Sequence, residues 1–277
     1  MAIAAVLQCV DAVESHAQVL LGLPYEKIHT VNRKPVAYQF VREADVMWSK
    51  IIWRRIELTE KANQHLYFPN EPQDNRMSLI DVILEGIHTQ GLTAYGTIGD
   101  DEFSNIITEK EVHTNMGATQ KTMDVEDLDG VTTTQIIDEP YHSEDVKAYL
   151  LKELWFFDKQ RSVLEVRIIG ICPIRYRFRE EDVDREKPIP VKAFWVYYPE
   201  ARKILSNAEC FNPLNDAQRL SYGDVLEKRY FSSYVYQESN MYNNRSINEY
   251  TTGQETLLEA DKIKETIFNF EQDLWEY

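Results

Sequence analysis

The 277-residue chain is poor in cysteine, contains no long apolar run and is short of positive charge. Each lack removes a class of function. Its three cysteines, Cys9, Cys172 and Cys210, are odd in number and far apart. No Cys-x-x-Cys pair occurs, which excludes a zinc ribbon and a thioredoxin-type site. Cys172 and Cys210 either form one disulfide in an oxidising compartment or stand as separate buried thiols, free cysteine being a common core residue. No stretch approaches the roughly 18 consecutive apolar residues that a spanning helix needs. Lys and Arg number 30 against 46 Asp and Glu, a formal charge of −16. So acidic a chain is repelled by phosphate backbones unless it carries a local basic patch. The densest basic cluster, Arg175-Tyr176-Arg177-Phe178-Arg179, is followed at once by acids. Nucleic acid is therefore excluded as a partner class.

Reactive constellations are missing as well. None of His16, His29, His65, His88, His113 and His142 has another histidine three or four residues away, so no helical metal pair exists. Glu85 and His88 are spaced i, i+3 on the second helix, and they suit a solvated helix face better. Gly96-Thr97-Ile98-Gly99 lacks the Lys-Ser or Lys-Thr of a phosphate loop, and no Gly-x-Ser-x-Gly elbow appears. Glu180, Glu181, Asp182 and Asp184 are the densest carboxylates, but they sit in a charged, proline-bounded loop. No catalytic residue, metal or cofactor is assigned.

What is present reads as a folded α+β chain. Ala2 to Val10 is mostly apolar and Ser15-His16-Ala17 offers small residues, yet no basic residue precedes them and Asp11 and Glu14 interrupt. Residues 1–17 thus read as a poor or truncated export signal. A lipid anchor at Cys9 is disfavoured by Gln8, where a small residue is expected. Residues 18–42, with Pro24 and Pro35, read as an extended N-terminal arm, either wrapping a partner or loosely ordered. A single domain spans 43–277. Trp48, Ile52 and Ile56 recur every fourth residue and predict a helix from Glu43. Ser78 with Asp81 opens a second helix, and Phe103, Ile106 and Ile107 suggest a short third near Asp100. Residues 109–142, rich in Thr, Asp, Glu and Gln, read as a long loop.

The β signal is clearest from Val146 to Ile174. Two alternating runs flank Asp158-Lys159-Gln160-Arg161, which predicts a hairpin ended by Pro173. Val191 to Tyr198 reads as a third antiparallel strand stopped by Pro199, with a short helix over Glu200 to Leu205. Ser221 with Asp224 opens a helix running to Tyr230. Thr252 and Glu255 form a capping box before a last helix. There Leu257, Ala260, Ile263, Ile267, Phe270 and Leu274 make a heptad-like stripe. That stripe packs either on its own sheet or on another subunit. The expected architecture is a small, mainly antiparallel sheet packed with flanking helices and a long C-terminal helix.

The block from Lys228 to Arg245 combines Tyr, Phe and Arg, the composition of interface cores. Tyr230, Phe231, Tyr234, Tyr236, Tyr242 and Arg245 are the candidate protein-interface residues. The alternation from Phe231 to Tyr236 also fits an ordinary strand.

Several segments match a family pattern in order. Trp155-Phe156-Phe157-Asp158-Lys159 leads into Arg167-Ile168-Ile169-Gly170-Ile171-Cys172-Pro173. Phe194-Trp195-Val196-Tyr197-Tyr198-Pro199-Glu200-Ala201-Arg202 follows. Arg229-Tyr230-Phe231, Ile247-Asn248-Glu249-Tyr250 and the segment from Phe270 to Tyr277 complete the later half. Leu66-Tyr67-Phe68-Pro69 and Ser78-Leu79-Ile80-Asp81-Val82 stand near the front. Together these resemble the GldN/PorN family of gliding motility and type IX secretion proteins over about residues 36–277. The clear export signal of that family is what residues 1–17 depart from.

The resemblance implies a non-enzymatic periplasmic protein, peripheral to the outer membrane and self-associating in a ring. It implies a GldK/PorK-type outer-membrane lipoprotein and a GldM/PorM-type periplasmic component as partners, and no catalytic residues. The alternative is a periplasmic cell-wall glycan-binding module or glycan-processing enzyme, suggested by the aromatics and loose carboxylates. A free-standing solute-binding protein is a second rival.

Overall fold

The computed structural model describes residues 33–73, 76–97, 101–126, 132–139, 141–178, 188–215 and 217–274. The export-signal segment 1–17, most of the arm 18–42 and the carboxylates of 180–184 lie outside the described residues. In chain order the elements are β1 Val46–Glu57, α1 Gln64–Tyr67, α2 Leu79–Gln90, β2 Ala94–Tyr95, α3 Glu109–Met116, β3 Thr119–Glu126 and β4 Thr132–Glu139. They continue with β5 Val146–Asp158, β6 Val163–Arg177, β7 Ile189–Lys192, β8 Trp195–Tyr197, α4 Tyr198–Asn207, β9 Glu209–Cys210, β10 Leu220–Ser221, α5 Tyr222–Glu227, β11 Tyr234–Glu238 and α6 Gln254–Asp273. The class is α+β, as the sequence predicts.

A seven-stranded antiparallel sheet runs β11-β1-β5-β6-β8-β2, with β7 also pairing β6. Its centre is the predicted hairpin. Asp158 shapes the turn by accepting from the Gln160 amide at 2.9 Å and from Arg161 Nε at 2.7 Å. Pro173 does not end β6, which continues to Arg177. The Pro173 carbonyl accepts from the Ala193 amide at 3.0 Å, so the absent N–H of Pro173 faces the gap where β8 gives way to β7. A proline there removes no ladder bond to β5. The same gap splits the predicted Val191–Tyr198 strand, and Tyr198 already belongs to α4.

The segment from Glu43 is a strand rather than a helix. Trp48, Ile52 and Ile56 are spaced by four, which is a multiple of two and so also one face of a strand. Between them Trp53 packs on the other face with Ala148, Leu150 and Cys172. Neighbouring isoleucines and tryptophans that must bury on both faces suit a pleated strand. Among the described residues, the short helix near Asp100 is absent. The described residues from Asp101 instead bend, Phe103 adopts φ 58° and Ile106 bridges to Tyr95. Nor is 109–142 a loop throughout. Thr108 and Glu111 form a capping box that opens α3, and β3 pairs with β4 in its own two-stranded sheet.

One face of the large sheet is covered by helices. Ile56, Tyr149, Leu151 and Ile171 pack under α2, α4 and α5. Ser78 caps α2 by accepting from the Asp81 amide, and Ser221 with Asp224 caps α5, both as expected. Gly86 admits close approach of α4, since a Cβ there would stand 2.9 Å from Ile204 Cδ1. The last helix takes its own sheet: Ala260, Ile263 and Ile267 of α6 bury against Ile52 and Val235, and Phe270 stacks on Trp48 at 4.9 Å. Its N-cap is Gly253, not Thr252, whose expected capping box does not form. Among the described residues, no helix is long and apolar enough to cross a membrane.

Among the described residues, the opposite face is covered more thinly. Phe103 lies edge-on to Tyr95, Trp195 and Tyr197, with centroid separations of 5.4, 6.0 and 5.6 Å. A Cβ on Gly170 would stand 2.5 Å from Phe103 Cζ, so glycine is what lets the ring approach β6. Gly170→Ala is expected to cost about 1–3 kcal/mol by overpacking. Urea unfolding measures this, and the cost should shrink in a Phe103→Ala background, as for any contacting pair.

Cys172 and Cys210 are buried free thiols, each pushed up to about 12 by burial. An alkylating reagent at neutral pH should leave both unmodified in the folded chain. After unfolding without reductant it should label both, as read by peptide mass mapping. An oxidised Cys172–Cys210 peptide pair would contradict this.

Candidate interaction surface

The Lys228–Arg245 block divides between the two faces of the sheet. Its first part is stitched inward. Arg229, at φ 57°, aims its guanidinium at the carboxylate of Glu153 in β5, with contacts of 2.9 and 3.2 Å. Glu153 is 0% exposed and also accepts from Trp155 Nε1 at 3.0 Å. The rings of Trp155 and Phe231 flank the guanidinium at 5.5 and 5.4 Å. Buried Asn63 donates to the carbonyls of Glu57 and Ser232 and accepts from the Ser232 amide. Arg54 of β1 donates to Ser233 Oγ and the Ser233 carbonyl. Burial holds the Arg54 guanidinium below its usual range; Glu153 opposes that shift and Arg229 adds to it.

These contacts decide the fate of the first candidates. Phe231 packs against the main core, while Tyr230 remains exposed beside it. Tyr234 turns to the opposite face, where its hydroxyl reaches Glu57 at 3.4 Å and Arg55 pairs with Glu57 at 2.6 Å. Burial, opposed by Arg55 and reinforced by Glu57, pushes the Tyr234 phenol up to about 12. Val235 goes under α6, and Tyr236 packs beside Trp53 on the thinly covered face.

After β11 the chain makes a turn that is ordered by its own side chains. Asn240 Oδ1 accepts from the Tyr242 amide, and Asn244 Oδ1 accepts from the Asn240 amide, both at 3.0 Å. Asn240 Nδ2 donates to the carbonyls of Glu238 and Arg245, and Gln237 donates to the Asn244 carbonyl. Asn243 and Asn244 adopt φ 57° and 53°, a left-handed conformation that asparagine tolerates. The Arg245 guanidinium lies between the rings of Tyr242 and Tyr250, at 4.6 and 4.7 Å. The turn holds Met241 88% exposed and Tyr242 59% exposed.

Between this turn and the sheet lies a groove of about 930 Å³. Ile51, Trp53 and Tyr236 form its apolar floor, and Tyr242, Asn243, Asn244 and Arg245 one wall. Lys152, Asp101, Glu102, Lys192 and Glu249 supply mixed charge. Lys152 donates to the Asp101 carbonyl at 2.7 Å and lies over the Trp53 and Phe103 rings at 5.4 and 5.6 Å. Of the six candidates, the structure gathers Tyr236, Tyr242 and Arg245 at this groove and places Tyr230, Phe231 and Tyr234 elsewhere. Composition alone did not single out Met241 or Lys152. The Asn243-Asn244 pair was the available sign of an exposed turn.

A second hollow, of about 540 Å³, lies beside α1 and is walled by Phe68, Pro69, Phe211 and Pro213, with Lys61 and Arg76 at its margin. Glu85 and His88 do not pair. His88 instead contacts Glu109 Oε1 of α3 at 2.6 Å, with His113 at 3.5 Å from the same oxygen. Among the described residues, no three His, Cys, Asp or Glu side chains are grouped to hold a metal ion.

Fold and surface define an α+β unit with one helix-covered sheet face and an ordered aromatic turn beside a groove on the other. The chain belongs to the GldN family of gliding motility associated proteins, whose family model matches residues 41–276. No curated protein matches the sequence.

The buried pair has a measurable consequence. Arg229→Met leaves the Glu153 carboxylate buried without its cation, and such losses cost about 3–5 kcal/mol. Urea unfolding should show that loss, with most of it recovered in an Arg229→Met, Glu153→Gln double variant.

Proposed function

We propose that this gliding motility component is a non-enzymatic structural subunit of a periplasmic, outer-membrane-associated ring in the type IX secretion and gliding machinery. In this reading it binds a GldK/PorK-type lipoprotein and a GldM/PorM-type component. The groove bounded by Tyr236 and the Asn240–Arg245 turn is one of its contact surfaces. The observation that carries the reading is the turn itself. Ordering a surface loop costs conformational entropy, and here the ordered loop holds a methionine and a tyrosine out in water instead of burying them. Large amphipathic side chains held rigid in solvent are what a partner can bury without paying that ordering cost again. Membership of the GldN family supplies the gliding machinery as the setting.

Co-expression with a GldK-type lipoprotein tests this directly. The pair should co-purify, and Met241→Ser with Tyr242→Ala should weaken capture by about tenfold or more, the loss of one aromatic anchor being about 1.4 kcal/mol or greater. The thermal midpoint should hardly change, because both side chains are exposed. Clean failure to co-purify would count against the reading.

A further inference from the structure

We propose that the apolar hollow beside α1 receives the acidic-aromatic segment Glu271–Tyr277 of a second copy of this chain, making a head-to-tail contact. Phe68 and Phe211 stand 48% and 44% exposed in that hollow, with Pro69 and Pro213 completing its walls. Exposed apolar rings gathered into a concavity mark an interaction site. Its charge is as informative as its walls. Lys61 and Arg76 stand at the margin, Arg76 lying over the Phe211 ring at 5.4 Å. Among the described residues no Asp or Glu lines it, in a chain whose net charge is −16. A cationic margin round apolar walls favours an occupant that carries aromatics next to carboxylates.

The sequence holds such a segment where α6 ends. Glu271-Gln272-Asp273-Leu274-Trp275-Glu276-Tyr277 carries three acids together with Leu274, Trp275 and Tyr277. Phe270, just before it, is already committed to Trp48 and Phe157 of its own sheet. The segment is at the wrong end to reach its own hollow. Along α6, Ile263 and Ile267 pack near Ile52, and Phe270 then reaches Trp48, so the helix runs away from the Glu57 end of β1. Trp48 and Glu57 are nine residues apart on β1, about 30 Å at strand rise. Lys61 and α1 follow Glu57 in the chain, and Asn63 between them donates to the Glu57 carbonyl at 2.8 Å. Three further residues after Leu274 span at most about 10 Å even when fully extended. A neighbouring copy has no such limit. A contact between two different surfaces repeats from copy to copy and closes into a ring when the rotation allows. The inference deepens the assembly reading above and takes its biological setting from it.

The test is a fluorescein-labelled synthetic peptide of Glu271–Tyr277, titrated into the full-length chain at low salt and followed by anisotropy. Saturable binding is expected. It should weaken about tenfold or more with Phe211→Ser or Lys61→Glu in the chain, with Trp275→Ala in the peptide, and with added salt. Circular dichroism should show both chain variants folded. In sedimentation velocity, Trp275→Ala in the full-length chain should reduce self-association. Absence of binding at millimolar peptide, or binding indifferent to Phe211→Ser, would overturn the proposal. So would a peptide that fails to bind while Phe211→Ser abolishes capture of a GldK-type lipoprotein, because the hollow would then belong to that partner. If the lipoprotein does not co-purify but the peptide binds as described, the contact between copies stands and the assembly reading falls.

Discussion

Two oppositely charged neighbours in the central strand, Lys152 and Glu153, hold the covering segments onto the sheet. Successive residues of a strand point to opposite faces, so each charge anchors a different side of the molecule. Glu153 points under the helices and is closed by Arg229, fixing the segment that leads from α5 into β11. Lys152 points to the thinly covered face and donates to the Asp101 carbonyl, fixing the bend that lays Phe103 on Gly170. A register shift in the β5–β6 ladder falls between these two residues. Charges so buried are tolerable only when paired and hydrogen-bonded. The same requirement that places Arg229 therefore places the start of β11, and with it the groove.

How much of this was legible in the sequence depended on whether a pattern had one reading or two. The β5–β6 hairpin had one, because thirteen and fifteen residues of β-rich sequence flank a polar turn. The caps at Ser78 and Ser221 had one, since a hydroxyl followed by an acid three residues on satisfies the free amides of a first turn. β1 had two. Its four-residue recurrence satisfies a helix and a strand equally, and only the position of Trp53 against Cys172 and Ala148 separates them. The stretch 109–142 reads as a loop for lack of large apolar residues. Yet α3 needs few, burying only Val112 and Met116, and β4 is written in threonines that serve a strand well.

The candidate surface was legible as a stretch of sequence but not in the direction of its side chains. Composition offered the Lys228–Arg245 block as a candidate, because aromatics and arginines are enriched in interface cores. It did not say which members turn inward. That depends on partners far away in the chain: Arg229 on Glu153, Ser232 on Asn63, and Ser233 on Arg54. Contacts between residues so distant in sequence leave no local periodicity. The turn after β11 was closer to readable, because its order comes from Asn240 and Asn244 within a few residues of each other.

The distribution of the surfaces bears on how such a chain assembles. Helices cover one face of the sheet, the groove opens on the other, and the apolar hollow lies past one end of β1 while α6 finishes near the opposite end. An isologous dimer requires a single patch complementary to itself. Here the hollow has a cationic margin, whereas the segment ending α6 is acidic. Each therefore repels its own kind and attracts the other. Like-charge juxtaposition disfavours hollow-to-hollow and segment-to-segment contact, while opposite charges favour the proposed segment-to-hollow contact between copies. With a net charge of −16, two copies otherwise repel at long range. The contact proposed between copies places that segment where cationic side chains locally reverse the sign.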